Sequence, residues 1–364
     1  MNEVTAKSSG RIVELDALRA LAAINLMLFH FTYVYQVKFG FSSPLNFQYP
    51  FGKYGVQLFF MLSGFVNAMT LLRKREADSF LAARMIRILP SFYLLVGLNL
   101  VLLTLAPLSS EGGYSLAQVG ANLTLMPNLL GFECLEPVTW TLQIELLFYV
   151  ILMLLFLSGG MDRPFRPLML YLLLCLIGGK VVLQMPVGNN DLSSEVILLM
   201  GSVMLFKYMP LFCIGLFLYL LKSDWDSKWK YLIGIGTSAI VFHLIDDHGH
   251  NPAATVLLIG LLAMAAFGKV PVLRSPFFVF LSGISYSLYL SHNNLGCVLM
   301  HQLDRLGIPP ILCFAFAMAF SVLIAAAMTR YFERPMSGWL NAKWKKIRPV
   351  LSRSGTVPLV GSTD

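Results

Sequence analysis

Four ionisable side chains stand inside long apolar runs of this chain: Arg19, His30, Glu145 and His292. Such a group is costly in hydrocarbon unless it faces a protein interior or a water-filled cavity, so each is a functional candidate. An imidazole can take up and return a proton near neutral pH, a carboxylate can orient it, and a guanidinium can grip phosphate. Arg19 and His30 are eleven positions apart, which on one helix leaves them about 20° apart in azimuth and about 16 Å apart along the axis. They therefore line one face at two depths. Glu145, shortly after Trp140, and His292, deep in its own run, fall at a depth similar to His30, so three groups from three helices are expected to meet. Around His292, residues Ser282, Ser285, Tyr289 and His292 recur at offsets of three, four and three. A polar stripe of that period must point inward.

A second constellation is cationic. Arg73, Lys74, Arg75, Arg84 and Arg87 crowd one loop and the helix start that follows it, and Arg84 and Arg87, three apart, share a helix face. Paired arginines suit bidentate capture of phosphate. The string His243, Asp246, Asp247, His248 and His250 has metal-ligand residue types, but its spacing fixes no ligand geometry, so a solvated loop is expected there and no metal.

These residues must be held by helices in a membrane. The 364 residues are 57% hydrophobic and 13% charged, with a mean hydropathy of +0.71, which excludes an ordinary soluble globule. Ten apolar runs, at about 15–36, 54–72, 88–107, 138–158, 168–185, 206–221, 231–245, 253–267, 277–300 and 309–330, are candidate spans. The expected fold is thus all-α and polytopic, with a ten-span domain over 1–335 and a basic cytoplasmic tail over 336–364. The first run lacks a signal-peptide cleavage site and is read as a permanent span. With the N-terminus inside, 21 of the 27 Lys and Arg residues fall on the cytoplasmic side, and Lys38, Lys53, Lys180, Lys207 and Arg305 on the other. That bias places both termini in the cytoplasm and explains the basic charge without a nucleic-acid partner. The two longest outer connections carry Glu111, Glu133, Glu136, Asp191 and Glu195 and read as acidic loops. Trp339 and Trp344 in the basic tail suggest a short interfacial helix on anionic lipid. The five cysteines show no paired spacing, so no disulfide framework or zinc site is implied.

The blocks LDALRALAAINLMLFH, GVQLFFMLSGF, FLAARMIRILPSFY, TWTLQIELLFY, SGISYSLYLSH and FERP, which sample residues 15 to 335, resemble in order and spacing the acyltransferase 3 family of integral membrane acyltransferases. The resemblance implies about ten membrane helices in a cytoplasmic (inner) membrane. It also implies transfer of an acyl group, most often acetyl, from cytoplasmic acyl-coenzyme A to a hydroxyl of a cell-envelope saccharide, a lipid-linked acceptor or another small molecule. Carried over by match, Arg19 and His30 are the paired Arg and His of the first helix, Arg84 and Arg87 the Arg-x-x-Arg element, Glu145 the acid after Trp, and His292 the His closing the Ser-Tyr block. Many relatives have a second acid where this chain has Leu146. The implied scheme puts coenzyme A phosphates on Arg84 and Arg87, helped by Arg73, Lys74 and Arg75, with the pantetheine arm passing Arg19. His30 acts as base, Glu145 supports its ring, and His292 or Tyr289 stabilises the oxyanion; direct transfer and an acyl-histidine intermediate both fit. The rival from another class is a proton-coupled transporter using His30, Glu145 and His292 as a relay, but no inverted repeat accompanies it.

The charge bias generates a topology test. A cysteine placed at Lys343 should be labelled by an impermeant maleimide only after permeabilisation, and one in the connection at about 108–137 without it; labelling of position 343 in intact cells would refute the arrangement.

Overall fold

A computed structural model describes residues 12–106, 114–184, 199–246 and 248–354, with side chains to 348. Among them every regular element is helical. In chain order these are α1 (Val13–Lys38), α2 (Pro50–Lys74), α3 (Ala77–Leu105), the short α4 (Leu116–Leu123), α5 (Pro137–Leu157), α6 (Phe165–Gln184), α7 (Met209–Ser223), α8 (Lys228–Leu244), α9 (Pro252–Ala266), α10 (Pro276–Arg305), α11 (Pro310–Met328) and α12 (Arg334–Ser354). Proline opens α9 and α10 at the first turn, where its missing N–H costs no hydrogen bond. Ser115 and Asn251 cap α4 and α9 by accepting from Gln118 N and Ala253 N.

A helix lies at each of the ten apolar runs, and six rods are long and apolar enough to cross a bilayer: α1, α2, α3, α5, α6 and the continuous α11–α12. The chain is a polytopic membrane protein. Large apolar side chains face outward on α6 (Leu170, Leu173, Ile177), α9 (Val256, Leu257) and α11 (Ile311, Phe316, Leu323), as lipid-facing surfaces require. By contrast α7, 15 residues long, is buried over 12 of them. It is wrapped by protein, so its length need not match the hydrocarbon.

Two expectations change. The third helix starts at Ala77, eleven residues before the apolar run at 88, because its polar first turns are held by protein: Asp78 and Glu76 pair with Arg348 of α12. Arg84 and Arg87 are therefore interior helix positions. The tail expected from 336 is also not set off by a loop: a π-turn over Thr329–Glu333 leads from α11 into α12 without a break. The Ser337 hydroxyl donates to Ile86 O at 3.2 Å, so the start of α12 packs on α3. Of the loop acids, Glu111, Asp191 and Glu195 are outside the described residues. Glu136, the last residue of its connection before α5, is buried, 2% exposed, accepting from Asn293 Nδ2 (3.1 Å), Asn99 Nδ2 (3.3 Å) and Asn294 N (3.3 Å). It ties the entry of α5 to α3 and α10.

The site is positioned by two close packings. In the first, α2 and α7 cross at glycines: a Cβ on Gly64 would stand 2.1 Å from Phe212 O, and one on Gly215 would stand 1.9 Å from Met61 O. Small residues let membrane helices approach backbone to backbone. Stacked rings of Phe148 and Phe212, centroids 4.0 Å apart, then bring α5 against this pair. In the second, α1 meets α10 where the Phe31 ring covers Gly296, so closely that a Cβ on this glycine would stand 2.1 Å from the ring. Because backbone oxygens cannot step aside as side chains can, Gly64→Ala and Gly215→Ala should each lower the thermal unfolding midpoint in detergent, at a cost of about 1–3 kcal/mol or more. Gly236→Ala, with open space around it, should leave the midpoint within error.

Candidate functional site

The first helix is regular from Val13 to Phe29 and turns into a π-turn at His30. Such single π-turns recur at functional sites. His30 Nδ1 lies 2.8 Å from Nε2 of His292, a fully buried side chain of α10. The tautomers follow from the partners. His292 Nδ1 is 3.0 Å from Leu288 O and 2.8 Å from Tyr289 O, and carbonyls only accept, so this nitrogen carries the proton. In neutral His292 the Nε2 then accepts, and His30 Nδ1 must donate to it. The consequence is a defined one: His30 Nε2 keeps its lone pair, and His30 lines a cavity of about 370 Å³ together with Phe29, Gln57, Trp140, Tyr208 and Tyr289.

Glu145 does not join them. Its Oε1 accepts from Ser63 Oγ at 2.8 Å and from Tyr149 OH at 2.5 Å, and it lines a different, narrow cavity of about 70 Å³ with Arg19, Arg84, Arg87, Tyr286 and Tyr289. The expected meeting of three groups is thus a meeting of two. The reason lies in α5: Trp140 is already at the level of the His30 cavity, because the buried Glu136 network draws the helix entry inward. Five further residues at about 1.5 Å each carry Glu145 past that level. The carboxylate instead faces guanidinium groups, a counter-charge where membrane arginines need one.

A third cavity, of about 520 Å³, continues from the narrow one. It shares Arg19, Arg87, Ser285 and Tyr286 with it and adds Glu333, Arg334, Ser337 and Asn341 of the π-turn and α12. Tyr289 is common to the narrow cavity and the His30 cavity. The three adjoin through these shared walls, in a string from an arginine end to a histidine end, with the narrow one in the middle. Arg84 stacks on Phe80 and Tyr149, with its guanidinium 5.4 and 5.9 Å from the ring centroids, and donates to Thr70 Oγ1 at 3.1 Å. Its buried Nε has no hydrogen-bond partner among the described residues. Arg87 lies over the Tyr286 ring, and Arg19 pairs with Asp16 at 3.0 Å.

The cationic run is divided. Arg75, in the left-handed region at φ 53°, pairs with Asp162. Arg73 and Lys74 line an exposed recess with Met69 and Thr70, which adjoins the 520 Å³ cavity at Met69. Only Arg84 and Arg87 of the five line the three cavities of the string. The oxyanion expectation also changes: Tyr289 OH donates to Val138 O at 2.7 Å and pairs with Thr141, and the His292 N–H is held by helix carbonyls, so both have their protons engaged. Residues missed from the sequence are Ser63 and Tyr149 on Glu145, Gln57 beside His30, and Glu333 with Arg334 at the arginine end. Tyr149 was findable, since it follows Glu145 by one helical turn. Of the possible metal string, Asp247 lies outside the described residues, His250 Nδ1 pairs with Asp246 at 2.9 Å, His248 Nε2 with Lys207 Nζ at 3.1 Å and His243 Nε2 with Thr255 Oγ1 at 3.1 Å. Among the described residues no group of three or more His, Cys, Asp or Glu side chains could hold a metal ion.

Compared with known proteins, residues 12–330 match the family model described as an acyltransferase domain. No curated protein and no solved structure matches the chain. The match covers most of the chain, including all four intramembrane ionisable residues and the arginine pair. The protein therefore belongs to the acyltransferase 3 family of integral membrane acyltransferases, enzymes that transfer acyl groups other than aminoacyl groups.

Proposed function

We propose that this enzyme moves an acyl group, acetyl in the first instance, from acyl-coenzyme A at the arginine end to a hydroxyl of a cell-envelope saccharide or similar acceptor at the histidine end. With both termini in the cytoplasm of a ten-span inner-membrane protein, the donor enters from inside and the acceptor from outside. The observation that carries this reading is the string of cavities, whose shared walls join Arg84 and Arg87 to His30. The phosphates of the donor pair with Arg87 and Arg84, the latter through the Nε that the protein leaves unbonded. The thin pantetheine arm threads the narrow cavity, the throat of this path, past Arg19 and Tyr289. A metal has no part in this scheme.

In direct transfer, His30 Nε2 takes the acceptor hydroxyl proton as the oxygen attacks the thioester carbonyl. The tetrahedral intermediate collapses, the C–S bond breaks, and the coenzyme A thiolate takes the proton from His30. His292 acts through His30: by accepting from Nδ1 it holds the ring in the tautomer with a basic Nε2, the part an acid plays in a triad. Glu145, held by Ser63 and Tyr149, keeps Arg19 and Arg84 in place along the donor path.

Binding and chemistry should then fail separately. In purified protein, Arg84→Ala with Arg87→Ala should abolish detectable coenzyme A binding, whereas His30→Ala should bind it normally and lose about 10²–10⁴-fold in turnover. His292→Ala should lower kcat with KM for the donor unchanged. His292→Gln, whose amide oxygen can accept from His30 Nδ1, should recover part of the loss; equal kcat in the two variants would rule out the positioning role. Wild-type protein that transfers no acyl group from acyl-coenzyme A to envelope material, yet moves a solute down a proton gradient in liposomes, would defeat the whole reading.

A further inference from the structure

The cavity at His30 is unusual in what it offers a ligand. Among the described residues its lining holds no carboxylate, while Lys53 and Lys207 both reach it, one from the turn that opens α2 and the other from the segment before α7. These two are among only five basic residues assigned to that side of the membrane, so positive-inside retention does not account for them. Each ammonium lies against the tyrosine that follows it, Lys53 at 5.6 Å from the Tyr54 ring centroid and Lys207 at 5.7 Å from that of Tyr208. Lys207 also donates to His248 Nε2.

Gln57 adds an independent observation. Its side chain is 2% exposed and lines the same cavity. The Oε1 accepts from Thr255 Oγ1 at 3.0 Å, while the Nε2 has no partner among the described residues. A buried amide N–H without an acceptor is destabilising, so a ligand oxygen is the natural partner. The cavity thus presents two ammonium groups and an unmatched amide donor, with His30 Nε2 as the acceptor of the ligand's own proton. Aromatic walls from Phe29, Trp140 and Phe242 suit the C–H faces of a sugar.

We propose that the acceptor is anionic: a sugar-sized molecule carrying a phosphate or carboxylate held by Lys53, Lys207 and Gln57 Nε2, with its hydroxyl presented to His30. This rests on the acyl-transfer reading for the word acceptor, but the anion-binding site stands on the cavity alone. Positive charge then stands at two separate places: Arg84 and Arg87 hold the donor's phosphates at one end, and the lysines hold the acceptor's anion at the other.

The test is titration of the purified full-length protein in nanodiscs with glucose, glucuronate, glucose 1-phosphate and inorganic phosphate, followed by tryptophan fluorescence, with no acyl donor present. Glucuronate and glucose 1-phosphate should bind at least about ten-fold more tightly than glucose, and inorganic phosphate more weakly than glucose 1-phosphate. Raising the salt should shrink the preference. Lys53→Gln and Lys207→Gln should each weaken the anionic sugars by about ten-fold or more and leave glucose unchanged, and Trp140→Phe should remove the signal. Anionic sugars binding no better than glucose, phosphate alone binding as tightly as its sugar ester, or lysine variants that keep the preference would each overturn the proposal. The salt series on wild-type protein decides the matter even where a variant fails to fold. Acyl transfer to envelope material without any anion preference would refute this inference alone, and the preference without any transfer would refute the acyltransferase mechanism alone.

Discussion

The bond from His30 to His292 is where the first and tenth helices become one functional unit. In hydrocarbon no water is present to satisfy a ring nitrogen, so each imidazole N–H and each lone pair must find a protein partner or be left for a ligand. The carbonyls of Leu288 and Tyr289 take the His292 proton, His292 Nε2 takes that of His30, and only one nitrogen of the pair remains. The neighbouring packing has the same origin. Phe31 follows His30 on α1, and Gly296 lies one turn after His292 on α10, so the ring fits into the glycine and holds the two imidazoles at bonding distance. An imidazole with one unengaged nitrogen is thus held by backbone geometry and one small residue, and in the proposed mechanism it is the base, with a second imidazole in place of an acid as its orienting partner.

The rule that orders the histidines also explains the arginines. A guanidinium has five donors and a fixed charge, and three of them around one throat would repel without compensation. Glu145 supplies part of that compensation from a hydrogen-bonded seat on Ser63 and Tyr149, and Asp16 supplies another part to Arg19. Aromatic faces of Phe80, Tyr149 and Tyr286 carry the rest. The arrangement leaves the narrow cavity net positive, with Arg84 on its wall and the buried Arg84 Nε without a partner among the described residues, which is the state a phosphate-bearing donor would complete.

Much of this was legible in the sequence, and the failures have physical causes. Apolar runs located the helices, the eleven-residue interval placed Arg19 and His30 on one face, and the Ser-Tyr-His stripe pointed α10 inward. Depth was harder to read. Counting from Trp140 assumed that this residue sits at the membrane surface, but Glu136, buried among three asparagine side chains or backbone groups, pulls the start of α5 inward and displaces Glu145 from the histidines. Hydropathy likewise cannot see the polar first turns of α3, since they are stabilised by Arg348 more than 250 positions away. Pairings of that range follow from the fold and leave no local pattern.

The dimensions of the throat bear on why donor and acceptor are kept apart. A thioester beside an activated base would lose its acyl group to water if the two ends shared an open channel. Between cavities of about 520 and 370 Å³ the connecting space is about 70 Å³, lined by Tyr149, Tyr286 and Tyr289. In the proposed scheme a pantetheine arm occupying a space of that size would leave room for little else, so the arm that delivers the acyl group would also seal its route against solvent. Proton abstraction by His30 would then be productive only with an acceptor hydroxyl in the far cavity. Selectivity against hydrolysis follows from the narrowness of the throat and from the donor that fills it.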